Sequence, residues 1–99
     1  MAPNPAKMRK SAEKAGNLLK LLSHPARLMI VCLLTEGETT VRALADKLNL
    51  RESTTSQHLA RLKTAGVVKD RREAQAAYYR VCCPDTLKIL QTLYSCYCK

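Results

Sequence analysis

The order of sequence patterns between Thr40 and Val81 constrains the fold of this 99-residue chain most strongly. A short amphipathic helix after Thr40 is followed by a polar turn over residues 49–52, and a second helix is predicted over residues 53–63. That helix ends before Gly66 and leads into a basic hairpin. Two helices joined by a tight turn and followed by a hairpin are typical of a winged helix-turn-helix, whose second helix enters the major groove of DNA.

The rest of the chain supplies further helices around this unit. Apolar residues recur at steps of three and four from Lys10 onwards, Pro25 suits the first position of a second helix, and Pro84 opens a last one. We therefore predict a flexible arm over residues 1–9 and one mainly α domain over residues 10–99. Its predicted order is α-α-α-α-β-β-α, with Thr40 capping the third helix.

The first and last helices lie outside the helix-turn-helix and its hairpin, and both carry apolar stripes. A single helix-turn-helix contacts few bases, and dimers that read two half-sites are the usual arrangement. We predict that these helices pair across a two-fold axis to form a homodimer. The alternative is that they only cover the core of one subunit.

The charge of the chain favours a polyanionic partner. Lys and Arg number 17 against 8 Asp and Glu, which gives a net charge of +9. The longest apolar run, Leu28–Leu34, falls well short of the roughly 20 residues of a membrane span. The N-terminal sequence lacks a stretch of signal-peptide type, so we expect a cytoplasmic protein without a membrane partner.

The predicted second helix of the helix-turn-helix carries side chains that can read base edges. Gln pairs with adenine, Arg with guanine, and Ser or Thr with several bases, while basic residues of the hairpin suit phosphates. The candidate DNA-binding residues are Arg51, Ser53, Thr54, Ser56, Gln57, His58, Arg61, Lys69, Arg71 and Arg72. For His58, packing at the helix edge is an equal alternative. For the whole surface, a protein-protein module that binds no DNA is the alternative.

Five cysteines point to thiol chemistry. The cytosol keeps thiols reduced, so they are reactive, metal-binding or inert rather than a disulfide framework. Taken alone, Cys32 in its apolar run is typical of a buried inert thiol, whereas Cys98 near the chain end should be accessible. Cys82 and Cys83, with a terminal thiol such as Cys96, offer an alternative three-sulfur site for arsenite or a similar soft metal.

The sequence lacks the patterns of common enzymes. It contains no glycine loop of the phosphate-binding type, no His-x-x-x-His pair and no carboxylate cluster. A thioredoxin-like oxidoreductase would need C-x-x-C beside a βαβ unit, and neither is present. We therefore expect a protein that is not an enzyme and that carries no cofactor.

Several segments resemble the ArsR family of winged-helix repressors, and the resemblance covers about residues 11–98. The matching segments are Leu22–Leu28, Ser56–Leu62, Gly66–Val68 and Tyr78–Tyr79. Arg72–Gln75 and the ending Tyr97–Cys98 are similar to the branch that responds to reactive sulfur and includes YgaV, BigR and HlyU. The resemblance implies a homodimeric repressor that leaves its operator DNA when an inducer binds or oxidises it.

The resemblance also implies which cysteines form the sensor. In that branch the sensor is a cysteine pair, and its positions are held here by Cys32 and Cys98. Persulfides or other reactive sulfur species would close the pair into a disulfide or polysulfide link. Metal-sensing relatives carry thiolates where Thr40 and Arg42 stand, so that site is missing. Arg51 replaces a capping Ser of close relatives, and Ser53 is expected to take over the cap.

Overall fold

The computed structural model describes residues 4–98. Within this range the chain forms five helices and three strands. They are α1 (Pro5–Leu22), α2 (Pro25–Leu34), β1 (Thr39–Thr40), α3 (Val41–Leu48), α4 (Glu52–Thr64), β2 (Val68–Glu73), β3 (Ala76–Val81) and α5 (Pro84–Tyr97). The mainly α winged helix-turn-helix predicted from the sequence is confirmed, with β1 as an added element.

The first helix begins earlier than predicted. It starts at Pro5 rather than near Lys10, because the Asn4 side chain accepts hydrogen bonds from the backbone amides of Ala6 and Lys7 at 2.9 and 3.4 Å. The prediction of an arm was therefore wrong for residues 5–9, while residues 1–3 of that arm lie outside the described residues. The buried residue of α1 is Leu22, at the end of the helix. The first turns of α1 therefore show no apolar period from which they could be predicted.

Strand β1 was missed because two residues cannot display a sequence period. It pairs with β3 through Thr39 opposite Tyr79 and Thr40 opposite Tyr78, and it gives an antiparallel sheet of order β1-β3-β2. Thr40 also caps α3 as predicted, since its hydroxyl accepts the amide of Ala43 at 3.2 Å. The sheet edge is thus tied directly to the start of the helix-turn-helix.

The core lies where α2, α3 and α4 meet the sheet. Its fully or almost fully buried residues are Leu22, Ile30, Val31, Leu34, Leu44, Leu59, Leu62, Val67, Val68 and Leu90. Full burial of one such side chain stabilises a fold by about 1.5–3 kcal/mol. The central helices supply most of these residues, so the helix-turn-helix is held rigidly.

The outer helices leave apolar side chains in solvent. Met8 and Leu19 of α1 are 45% and 55% exposed, and Tyr94 and Tyr97 of α5 are 67% and 82% exposed. Among residues 4–98 the one other exposed large apolar residue is Met29 of α2. A concentration of exposed apolar side chains on a few helices is a common mark of an interaction surface. Within residues 4–98 no single helix is long and apolar enough to cross a membrane, and α1 and α2 meet that test only as a pair bent by 94°.

Candidate nucleic-acid interface and thiol pair

Helix α4 is oriented by three buried residues. Thr55, Leu59 and Leu62 are fully buried, which confirms the inward face predicted from their spacing. The Thr55 hydroxyl donates to the carbonyl of Arg51 at 2.9 Å, which satisfies this buried polar group inside the helix. The opposite face carries Gln57 and Arg61, both exposed. Their amide and guanidinium groups are therefore available to a ligand outside the protein.

The start of α4 differs from the prediction. Helical structure begins at Glu52, so Ser53 lies inside the first turn and cannot act as the cap that was expected of it. Arg51 occupies the cap position, and its side chain makes no capping hydrogen bond. The carboxylate of Glu52 in the first turn faces the positive end of the helix dipole, which favours this start. Arg51 and Ser53 are both exposed at the end of the helix that follows the turn.

His58 packs against a second histidine at the edge of α4. The rings of His58 and His24 have centroids 4.7 Å apart and are tilted by 59°. His24 is itself fixed, because its Nδ1 accepts the backbone amide of Ala26 at 3.2 Å and caps α2. Burial lowers the pKa of His58, and the charges of His24, Arg27 and Arg61 lower it further. The His58 ring is thus partly used in packing inside the subunit.

This environment predicts a loss of stability in mild acid. The pKa of His58 in the folded protein lies below its ordinary value of 6.5, so the unfolded chain takes up the proton first as the pH falls. The free energy of unfolding should therefore fall as the pH drops through 6.5 and level off below the folded pKa. Urea unfolding at pH 7.5 and 5.5 would measure this difference, which should shrink in His58→Gln. An equal pH dependence in both proteins would contradict the assignment.

The wing, which is the hairpin of β2 and β3, positions its basic residues in two different ways. Lys69 and Arg72 are exposed and make no ion pair among residues 4–98. Arg71 is instead engaged by two carboxylates, Glu38 before β1 and Glu73 on its own strand. The three basic residues look alike in the sequence, and no local pattern links Glu38 to Arg71, because the two residues are distant in the chain.

The wing is also tied to α4. Lys63 near the end of α4 pairs with Asp70 of β2, with Nζ and Oδ1 2.8 Å apart. This hydrogen bond is the main cause that lowers the pKa of Asp70 and raises that of Lys63. No local sequence pattern indicates that Lys63 forms this pair. The contact holds the hairpin beside the exposed face of α4.

The charge of Cys98 acts on Cys32 although the two residues are far apart in the chain. Both side chains are exposed, Cys32 on α2 and Cys98 directly after α5. Surrounding side chains remove water from Cys32 and so raise the pKa of its thiol, and the charge of Cys98 raises it further. Such an effect requires nearby charges. Cys32 was expected to be buried on its sequence context alone, and that expectation was wrong because its side chain points away from the core.

An apolar groove gives access to Cys32. It lies between α2 and α5, has a volume of about 540 Å³ and is lined by Cys32, Leu33, Leu87, Leu90 and Tyr94 among others. A space of this size accommodates a small organic reagent. The thiol of Cys32 can therefore be reached without unfolding of the subunit.

The remaining thiols do not assemble into a metal site within the subunit. No group of three or more His, Cys, Asp or Glu side chains among residues 4–98 is arranged to hold a metal ion. Cys82 and Cys83 are half-buried between β3 and α5, and the Cys82 thiol donates to the carbonyl of Gly66 at 3.4 Å. Cys96 is exposed on the last turn of α5. The three-sulfur arrangement considered for Cys82, Cys83 and Cys96 is thus not formed in one chain.

The winged helix-turn-helix fold and the sequence of this chain are similar to those of known proteins. Residues 24–70 match the arsR family of bacterial regulatory proteins. A biofilm growth-associated repressor of Agrobacterium fabrum is 44% identical, over 97% of this chain and 81% of that protein. Reduced HlyU from Vibrio cholerae superposes with a TM-score of 0.90 and 36% identity, over 94% of this chain and 98% of that one. A homodimeric winged helix-turn-helix DNA-binding domain from Mycobacterium bovis gives a TM-score of 0.80 and 29% identity, over 96% and 88%. The resemblance seen in the sequence is thereby confirmed, and the chain belongs to the ArsR family of bacterial regulatory proteins.

Proposed function

We propose that this protein is a transcriptional repressor that binds operator DNA and releases it when a cysteine pair reacts with reactive sulfur. The observation that carries the DNA-binding part is the exposed face of α4. This face presents Gln57 and Arg61 outward beside a basic hairpin, while the opposite face is locked into the core. The repressor from Agrobacterium fabrum supports the same role by its similarity. The proposal places the protein in the cytoplasm, where its operator lies.

The interface would divide its contacts between bases and phosphates. Side chains on the outward face and at the start of α4 meet the major groove, and the wing meets the backbone. The residues proposed for the major groove and its edges are Arg51, Ser53, Thr54, Ser56, Gln57 and Arg61. Lys69 and Arg72 are proposed for phosphates on the wing. His58 would contribute less than these residues, because its ring already packs against His24.

A homodimer would supply the second half-site. The exposed apolar side chains of α1 and α5, Leu19 and Tyr97 among them, suit burial against a second copy. The similar domain from Mycobacterium bovis is described as homodimeric. Two copies would place two α4 helices about one DNA turn apart, which is the spacing of a palindromic operator.

If the protein binds DNA as proposed, its affinity for DNA should depend strongly on salt concentration. Each phosphate contact releases condensed counterions, so log affinity should fall linearly with log salt concentration at about −0.9 per contact. For a dimer with two to four contacts per subunit we expect a slope of roughly −4 to −7. Fluorescence anisotropy with labelled duplex DNA at several salt concentrations would measure it. A protein-protein module would show no such slope, and that result would contradict the proposal.

The proposed sensor is the pair formed by Cys32 and Cys98. Its support is that the charge of one thiol raises the pKa of the other, and that a groove leads to Cys32. Because the raised pKa keeps Cys32 protonated, Cys98 is the better first nucleophile. Its thiolate attacks the outer sulfur of a persulfide RSSH, which breaks the S–S bond, releases the thiol RSH and leaves Cys98 as a persulfide.

The second step closes the pair. The Cys32 thiolate attacks Sγ of the Cys98 persulfide, forms the Cys32–Cys98 disulfide and expels the outer sulfur as hydrogen sulfide. The two thiols are oxidised, and the incoming persulfide is reduced to RSH and hydrogen sulfide. If a second RSSH first converts Cys32 to a persulfide and releases another RSH, the same closure gives a trisulfide link and hydrogen sulfide. The closed link ties α2 to the end of α5, and about 1.4 kcal/mol of preference for a non-binding dimer shape would weaken operator binding tenfold.

A further inference from the structure

The wing is held from both of its faces. Asp70 and Arg71 are neighbours in β2, so their side chains project to opposite faces of the sheet. On one face Asp70 pairs with Lys63 of α4. On the other face Arg71 pairs with Glu38, which lies between α2 and β1. The hairpin is therefore fixed to the DNA-reading helix and, separately, to the segment that follows α2.

The contacts of Arg71 engage all three nitrogen atoms of its guanidinium group. Nε donates to the two carboxylate oxygens of Glu38 at 2.9 and 3.1 Å, and Nη2 also donates to Glu38. Nη1 donates to Glu73 at 2.8 Å. The guanidinium carbon lies 4.9 Å from the ring centroid of Tyr78, which is opposite Arg71 in the β2-β3 register. Isolated surface ion pairs stabilise little, but bidentate geometry within a network is the exception.

The charge around Arg71 also disfavours a phosphate contact. Two carboxylates face one guanidinium, so this small cluster has no positive charge left to offer to DNA. Arg71 is the main cause of the lowered pKa of Glu38, and Arg80 adds to it, so Glu38 stays ionised at neutral pH. A phosphate that approached Arg71 would meet both carboxylates. Lys69 and Arg72 have no such partner among residues 4–98.

We propose that Arg71 is a positioning residue, which sets the angle of the wing through Glu38 and does not itself bind phosphate. This inference rests on the proposed DNA binding and corrects the assignment of Arg71 that the sequence suggested. The phosphate contacts of the wing then belong to Lys69 and Arg72. Glu38 becomes a determinant of operator binding although its own charge would repel DNA.

The test compares Glu38→Gln, Arg71→Gln and the double variant in operator binding over a range of salt concentrations. If Arg71 positions the wing, each single variant binds about threefold more weakly, and the double variant is no weaker than Arg71→Gln, because both remove one contact. The slope of log affinity against log salt stays unchanged. Lys69→Gln is the matched control, and it should flatten the slope by about 0.9 for each phosphate contact that is lost.

Two results would show that Arg71 does not act as a positioning residue. If Arg71 binds phosphate, Arg71→Gln flattens the slope and Glu38→Gln tightens binding by releasing Arg71, which overturns the inference. Unchanged affinity in both single variants also overturns it. Hydrogen exchange of the free protein gives a separate measurement, since amides of β2 should exchange faster in Glu38→Gln than in the wild type. A wild-type protein without a salt slope would instead refute the proposed function, and faster exchange would still support the wing contact.

Discussion

Replacing either Cys32 or Cys98 by serine is expected to abolish the loss of operator affinity that persulfide causes in the wild-type protein. In the wild type we expect persulfide to weaken binding at least about tenfold, which corresponds to about 1.4 kcal/mol between the two dimer shapes. Serine removes one sulfur atom of the link but keeps the size of the side chain. Affinity of the reduced variants for the operator should therefore remain close to that of the wild type.

The matched control for this experiment is Cys96→Ser. Cys96 is exposed like Cys98 and lies two residues before it, but its charge does not contribute to the raised pKa of Cys32, so the response should be kept. Fluorescence anisotropy before and after persulfide treatment gives the affinity, and mass spectrometry with peptide mapping identifies the linked thiols. A response that survives both the Cys32 and the Cys98 substitutions would transfer the sensor to Cys82 and Cys83, and arsenite treatment would then test soft-metal binding.

Gln57→Ala and Arg61→Ala should weaken binding to the operator much more than binding to unrelated DNA. A good bidentate contact with a base contributes about 1–3 kcal/mol of discrimination, so each variant should lose roughly five-fold to 150-fold in specific affinity. Both side chains are exposed on the face of α4 opposite its buried residues, so neither substitution removes core packing. Competition titrations with operator and random duplexes would measure the two affinities.

Lys69→Ala serves as the control for these two variants. It removes a proposed phosphate contact, so it should weaken binding to both duplexes by the same factor. An equal loss on both duplexes in Gln57→Ala and Arg61→Ala would mean that these side chains meet only the DNA backbone. Sequence recognition would then have to be assigned to other residues of α4.

The interior of the helix-turn-helix could be predicted because its signals are local and repeated. The spacing of Thr55, Leu59 and Leu62 defines one face of a helix, and the structure buries all three. Helix ends were less predictable where two signals compete. At α4 a serine suggested a cap, yet the helix begins one residue earlier at Glu52. At α1 the cap formed by Asn4 was hidden by the lack of any apolar period in the first turns.

The amino-acid sequence was sufficient to predict the class of fold, the inward and outward faces of α4 and, through resemblance, the two cysteines of the proposed sensor. Tertiary packing decides which distant residues meet, such as Glu38 with Arg71 and His24 with His58. The reason is physical. Periodicity and capping act over a few residues, whereas these contacts depend on how packed helices and a three-stranded sheet bring remote segments together.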